Sequence, residues 1–461
     1  PAFVSSGRSR LLLAAAAVLS LALVAGLVRV VVAPGTGDPI RIGAVFPTTG
    51  NAASLAGPEL AGVRIAAQLV NADGGIGGRP IELVERTLES RDDAPAIMAG
   101  LARQGIRVVV GAYSSDLSIA ASAAADQAGL VYWEAGAVAD RLTGRGLPLV
   151  FRVGTSGSTL GSNSARFTAT ELAPRLGKAA GQLRVAIAVA DDEYARSVAD
   201  AAVTTARQAG LDVVTRVSYN LVLPNWPDVM ARLKAARPDT IILASHIPDG
   251  IAFRQAMLAS GLRVGALIGS TMAECDPDFA GDLGADAIGI FASDRPTAGF
   301  RPEALDAAAR AAYDRFSTAW GDASASFLPP ASSAAGADGS PAAEEYGLSG
   351  PAESPTAEQD EEALAGFSAG WALFHHVLPG AAAAGGGLEP AAVASAARAL
   401  DLPEGALPNG AGLRFSSDPA TLGQNERAAA VIWQWQAVRQ YAFVWPPAYA
   451  TGVIRDVPLN R

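Results

Sequence analysis

The chain holds one cysteine, three histidines and two lysines in 461 residues. A lone cysteine, Cys275, excludes an intramolecular disulfide and a four-cysteine zinc site. Of His246, His375 and His376 only the last two are neighbours, and adjacent side chains on a helix diverge, so no metal or cofactor is expected. No G-x-S-x-G, H-E-x-x-H or cysteine–histidine pattern occurs, which speaks against hydrolytic chemistry. Basic residues do not cluster and the net charge is −10, which excludes nucleic acid as a partner. Only 17% of residues are charged and half are apolar, as expected of a globular chain with a sizeable core.

Charge is also missing from residues 11–28, an 18-residue apolar run behind the positive stretch SGRSR. Such a run is long for the core of a signal peptide and near the minimum for a membrane span. Residues 1–37 are therefore expected to act as a signal peptide cleaved near Ala33 or as a retained membrane anchor. Either places the remainder outside the cytoplasm. That remainder carries 32 basic and 45 acidic residues, a net −13.

From residue 39 short β-branched runs alternate with alanine-rich helical stretches. Strands are expected at 40–46, 81–87, 106–111, 130–133, 183–190, 211–219, 239–245, 263–270 and 287–293. They are apolar throughout, as strands buried on both faces of a parallel sheet are. The alternation predicts an α/β protein with two doubly wound parallel-sheet lobes and a hinge near 150–157, where Gly, Ser and Thr interrupt it. Residues 322–362 are rich in Ala, Ser, Pro, Gly and Glu and are expected to form a disordered insertion. A hairpin is expected over 427–447.

The stretch NADGGIGGRPIEL (71–83) raises the question of a phosphate cradle. A dinucleotide loop needs strand, glycine turn, helix, in that order. Here a helix precedes the glycines and a strand follows, so they turn the chain and bind nothing. Together with IRIGAVFPTTG (40–50), the block through RDD at 91–93 and VVVGAYSSDLSIAASAAADQAGLVYWEAGAV (108–138), this stretch resembles the Leu/Ile/Val-binding protein family of ABC importers. The resemblance covers residues 40–320 and, more weakly, 363–447.

The resemblance implies two lobes, here 38–154 plus 295–408 and 155–294 plus 409–448, closing over a small ligand. It implies an ABC permease partner, an extracytoplasmic site and no enzymatic activity. Ser115, beside Tyr113 and Ser114, matches the serine that holds the ligand carboxylate, although these residues could also cap the following helix. Gly136, Ala137 and Val138 match a backbone-binding turn whose threonine is replaced by Val138. Tyr194 matches the tyrosine that closes over the ligand, or packs in the core. His246 stands where the family has an aromatic, or caps a helix. Thr271 stands where amino-acid binders carry an acid for the ligand ammonium, which opens the specificity to amides and other polar metabolites. The acids Glu134, Asp192, Glu193 and Asp249 near strand ends read as helix-start residues favoured by the dipole. A membrane-anchored ligand sensor using the same cleft is the alternative to an importer receptor.

Overall fold

A computed structural model describes residues 37–49, 52–270, 277–296, 300–324, 361–385, 387–438 and 440–459. The segment 11–28, Thr271 and nearly all of the insertion lie outside these residues.

The first sheet is built from β1 (Ile40–Phe46), β2 (Ile81–Thr87), β3 (Val108–Gly111), β4 (Val131–Glu134) and β5 (Val150–Arg152), in the order β2-β1-β3-β4-β5. All its pairings are parallel. Its strands alternate between two buried clusters. Val108, Val110 and Trp133 join one, and Val109 and Tyr132 the other. This explains why the strands read as unbroken apolar runs. α1 (Ala53–Ala72), α2 (Ala94–Arg103) and α3 (Ser115–Gln127) connect them. The glycines at 74, 75, 77 and 78 all have positive φ and form the bend between α1 and β2, in accord with the turning role read from the sequence.

β5 falls within the stretch read as a break. Three residues give no periodic signal, but pairing with Tyr132, Trp133 and Glu134 makes them a strand.

The second sheet contains β6 (Arg184–Ala190), β7 (Asp212–Tyr219), β8 (Thr240–Ala244), β9 (Ala266–Ser270), β10 (Phe291–Asp294), β11 (Val431–Ala437) and β12 (Gln440–Trp445). Its order is β12-β11-β10-β9-β8-β6-β7. β6 to β10 are parallel, and the β11–β12 hairpin adds antiparallel strands at the β10 edge. α4 (Gly157–Phe167), α5 (Glu193–Gln208), α6 (Trp226–Ala236) and α7 (Ile247–Ser260) accompany it, and α8 (Pro277–Leu283) follows β9. α9 (Ala307–Ser324), α10 (Glu361–Trp371) and α11 (Pro390–Ala399) come after β10. α10 packs so closely on α1 that a Cβ on Gly366 would lie 2.0 Å from the Glu59 carbonyl oxygen.

Among the described residues the chain crosses between the sheets three times: after Arg152, after Asp294 and between Arg427 and Val431. The stretch 409–427, expected with the second lobe, lies along β5 instead. Gln424 bridges Arg152, and Phe415 packs edge-on against Trp133 and Phe151.

Candidate ligand-binding cleft

Parallel strands deliver their loops to one side, at their C-terminal ends, where open α/β sheets bind ligands. Two of the loops leaving the first sheet bear the candidate residues. Residues 112–114 join β3 to α3, and residues 135–139 follow β4. From the second sheet come residues 191–192, before α5, and 245–246, before α7.

Glu134 organises the first pair. It is fully buried, and its carboxylate accepts from the Gly136 and Ala137 N–H groups, both at 3.0 Å. It also accepts from Ala112 N–H at 3.0 Å and from the Tyr132 hydroxyl at 3.1 Å. Burial pushes this carboxyl above its ordinary range, and the donors from Ala137, Ser118, Gly136 and Tyr132 pull against that. The sequence reading as a solvated helix-start acid is therefore corrected: Glu134 is the internal anchor of both loops.

The carbonyls of the turn are held by two buried arginines. Arg152 donates to Ala137 O at 3.3 Å and Ala139 O at 2.7 Å. Arg295 donates to Gly136 O at 3.2 Å. Val138 O accepts from Gly157 N–H at 2.6 Å. The Gly136 and Ala137 N–H groups expected to face a ligand are thus committed to Glu134. Among the described residues Val138 N–H has no partner.

Tyr113 has φ 69° and is 4% exposed. Its hydroxyl donates to Glu362 at 3.2 Å, which ties down a backbone region that a side chain disfavours. Ser114 occupies the N-cap position of α3 without a side-chain capping bond. Ser115 accepts from Ala139 N–H at 3.2 Å and so joins the two loops. Both serines are partly exposed.

On the second sheet, the Tyr194 hydroxyl bridges the ends of β8 and β9. It lies 3.1 Å from Ser245 O and closer still to Ser270 O. Its ring centroid is 4.9 Å from that of His246. The His246 imidazole pairs through Nε2 with Asp192, whose other oxygen caps α5 through Ala195 N–H at 2.7 Å. Burial opposes charge on His246. The Asp192 bond and charge, with Asp249 and Asp116 behind them, outweigh it and raise the imidazole above its ordinary value. Burial likewise opposes charge on Asp192, and the bond and charge of His246 hold its carboxyl below the usual range. Asp249 receives the Tyr219 hydroxyl at 2.5 Å and the His246 N–H at 2.9 Å.

The two halves meet directly. Asp140 accepts from Ser158 N–H at 3.0 Å and its N–H donates to Ser197 Oγ at 3.1 Å. Arg141 lies 3.4 Å from Glu193. The structure thus gathers Tyr113, Ser114, Ser115 and Gly136–Val138 on one side and Tyr194 and His246 on the other. Trp133 is core: it is fully buried and its indole donates to Ala369 O at 2.9 Å.

Sequence reasoning missed the charged layer behind these loops. Arg295 donates to Glu361 at 2.7 Å and Glu362 at 3.0 Å, all three nearly inaccessible. The carboxylates hold Arg295 well above its ordinary value despite burial. An Asp–Arg pair directly after an apolar strand was the available signal. Glu361 and Glu362 were hidden by the polar composition of the insertion.

Two doubly wound parallel sheets joined by three crossings, with loops meeting from strand C-terminal ends, define the type I periplasmic-binding-protein architecture. Residues 39–345 match the family model described as periplasmic binding protein, and the chain belongs to that family. Leu/Ile/Val-binding protein homolog 8 of Brucella abortus is 28% identical over 403 residues, 86% of this chain and 88% of the relative. Homolog 7 of Brucella suis is 29% identical over 428 residues, 92% of this chain and 95% of the relative. An ABC transporter substrate-binding protein from Desulfitobacterium hafniense, solved in complex with Leu, shares the fold at TM-score 0.63 and 24% identity, covering 88% of this chain and 100% of that one. A solute-binding protein from R. palustris, solved with 4-hydroxybenzoate, does so at TM-score 0.63 and 17% identity, covering 90% and 95%.

Proposed function

We propose that the protein is an extracytoplasmic solute-binding protein that captures a small polar metabolite between its lobes by hinge closure and delivers it to an ABC importer. The carrying observation is the convergence of Ser115 and the 135–139 turn with Tyr194 and His246, across direct contacts between Asp140, Arg141, Glu193 and Ser197. Polar groups left for a ligand are the Ser114 and Ser115 hydroxyls and Val138 N–H, beside the His246 ring, whose Nε2 is held by Asp192. The relatives solved with Leu and with 4-hydroxybenzoate support a small carboxylate or amino acid. Thr271, in place of an acid, supports an amide or another polar metabolite as well.

The reading is one of binding without chemistry. Glu134 is spent on loop N–H groups, Asp192 on a helix cap and His246, and Asp249 on Tyr219. Lobe one is read as 38–154 plus 295–427, lobe two as 155–294 plus 428–448, with hinge motion at the three crossings. The uncharged run 11–28, which has no nearby cysteine for lipidation, supports a second reading, a membrane-anchored sensor using the same cleft.

A thermal-shift panel of amino acids, amides and aromatic and aliphatic carboxylates tests the proposal. A ligand at 100 times its Kd stabilises by ~2.7 kcal/mol. The shift is expected to vanish in Ser115→Ala/His246→Ala. A shift that survives this variant would place binding elsewhere.

A further inference from the structure

Glu59, in the second turn of α1, is 0% exposed, and neither of its carboxyl oxygens has a hydrogen-bond partner among the described residues. It lies directly beneath the cleft turn. A Cβ on Gly136 would be 2.0 Å from Glu59 Oε2, so the carboxyl sits directly against the turn. Charged and titratable groups face this region from several elements: Glu134 from β4, Tyr113 from the loop after β3, Asp294 and Arg295 from the second crossing, and Glu361 and Glu362 from α10. Five carboxyl groups thus crowd this region; Arg295 is hydrogen-bonded to Glu361 and Glu362, and the charge of Arg152 acts on Glu134. An ionised carboxylate sealed from solvent here, beside a second carboxylate, is strongly disfavoured.

We propose that Glu59 stands as an uncharged carboxylic acid beneath the Gly136 turn and that its neutrality positions the turn. Glu59 and Glu134 are close enough to oppose each other's ionisation. Three loop N–H groups and the Tyr132 hydroxyl are hydrogen-bonded to Glu134; Glu59 has no hydrogen bond among the described residues, and the Gly136 N–H, near enough to favour its ionised form, is bonded to Glu134. The negative charge of the pair therefore rests on Glu134 and the proton on Glu59. Burial and then the Glu134 charge push the Glu59 carboxyl well up, with Arg295 in partial opposition. Ionising Glu59 places a second charge against the turn, in competition with Glu134 for the Gly136 N–H. The turn then has to move. Glu59 is a positioning residue: it touches the turn, not the ligand. Its relevance to ligand capture rests on the function proposed above, but its protonation does not.

The test uses the full chain and its Glu59→Gln variant. Gln is the neutral isostere. An infrared difference spectrum at neutral pH should show the carbonyl stretch of a protonated carboxylic acid in the parent and its loss in the variant. Parent and variant should run parallel only at acid pH, below the unfolded value of Glu59. From there upward the parent should lose stability relative to the variant, and the loss should level off where Glu59 ionises in the folded protein. The sign follows because a folded-state carboxyl raised above its unfolded value contributes stability that is fully present below the unfolded value and is lost as pH rises through the folded one. With selective glycine labelling, the Gly136 amide resonance should move in the parent where Glu59 ionises in the folded protein and stay still in the variant. No Glu59-dependent band, or a variant that unfolds at neutral pH, overturns the protonation. A Gly136 resonance that ignores the titration overturns the positioning role. Failure of the ligand reading shows differently, as absence of binding in both proteins with band and titration intact.

Discussion

Arg152 donates through Nε to Gln424 Oε1 at 2.5 Å, joining the start of the first crossing to the segment that leads into the third. The same guanidinium holds the Ala137 and Ala139 carbonyls, and Gln424 donates onward to Gly154 O at 3.1 Å. The cleft turn and two interlobe connections thus share one side chain. Burial without a paired carboxylate lowers Arg152 to about 10, with Asp140 and Glu134 as partial support.

Arg152→Met should therefore destabilise the fold by about 2–4 kcal/mol, because two turn carbonyls and Gln424 lose a charged donor. Gln424→Ala should cost about 1–2 kcal/mol. Urea unfolding measures both. Equal stability of all three proteins would show that the network is dispensable.

Glu134→Gln keeps the shape and removes the charge. Its amide nitrogen then meets loop N–H groups that need an acceptor. We expect a loss of about 3 kcal/mol or more from the orphaned donors. Hydrogen exchange should accelerate at Ala112, Gly136 and Ala137 ahead of the rest of the first sheet. Unchanged exchange there would contradict the anchoring role.

The His246–Asp192 pair gives a two-sided pH dependence. His246 is raised in the folded state, so its contribution is fully present below its unfolded value and fades as pH rises through the folded one. Asp192 is lowered, so its contribution is present above its unfolded value and fades as pH falls through the folded one. The pair stabilises most at mildly acidic pH. His246→Gln should flatten that part of the melting-temperature profile, and an unaltered profile would show the pair to be silent. The loss attributed to Glu59 also runs toward high pH, and the two variants separate them.

The strand–helix alternation made the two lobes legible, since strands buried on both faces are apolar without interruption. Tyr113, Ser115, Tyr194 and His246 could be placed because they follow strands that were recognised. β5 could not, because three residues carry no period. The destination of 409–427 was equally hidden: Phe415 reaches Trp133 and Phe151 only through tertiary packing. The layer of Glu59, Glu134, Arg295, Glu361 and Glu362 was invisible for a physical reason. Each residue alone looks like a solvated charge. Only the close approach of α10 to α1 and the return of the chain after Asp294 bring them together out of water.

The central claim is capture of a small solute between two closing lobes. Small-angle X-ray scattering of the protein with and without the compound giving the largest thermal shift tests it most directly. The account predicts a smaller radius of gyration on saturation, lost in Ser115→Ala/His246→Ala. Saturated binding with an unchanged radius of gyration would contradict closure.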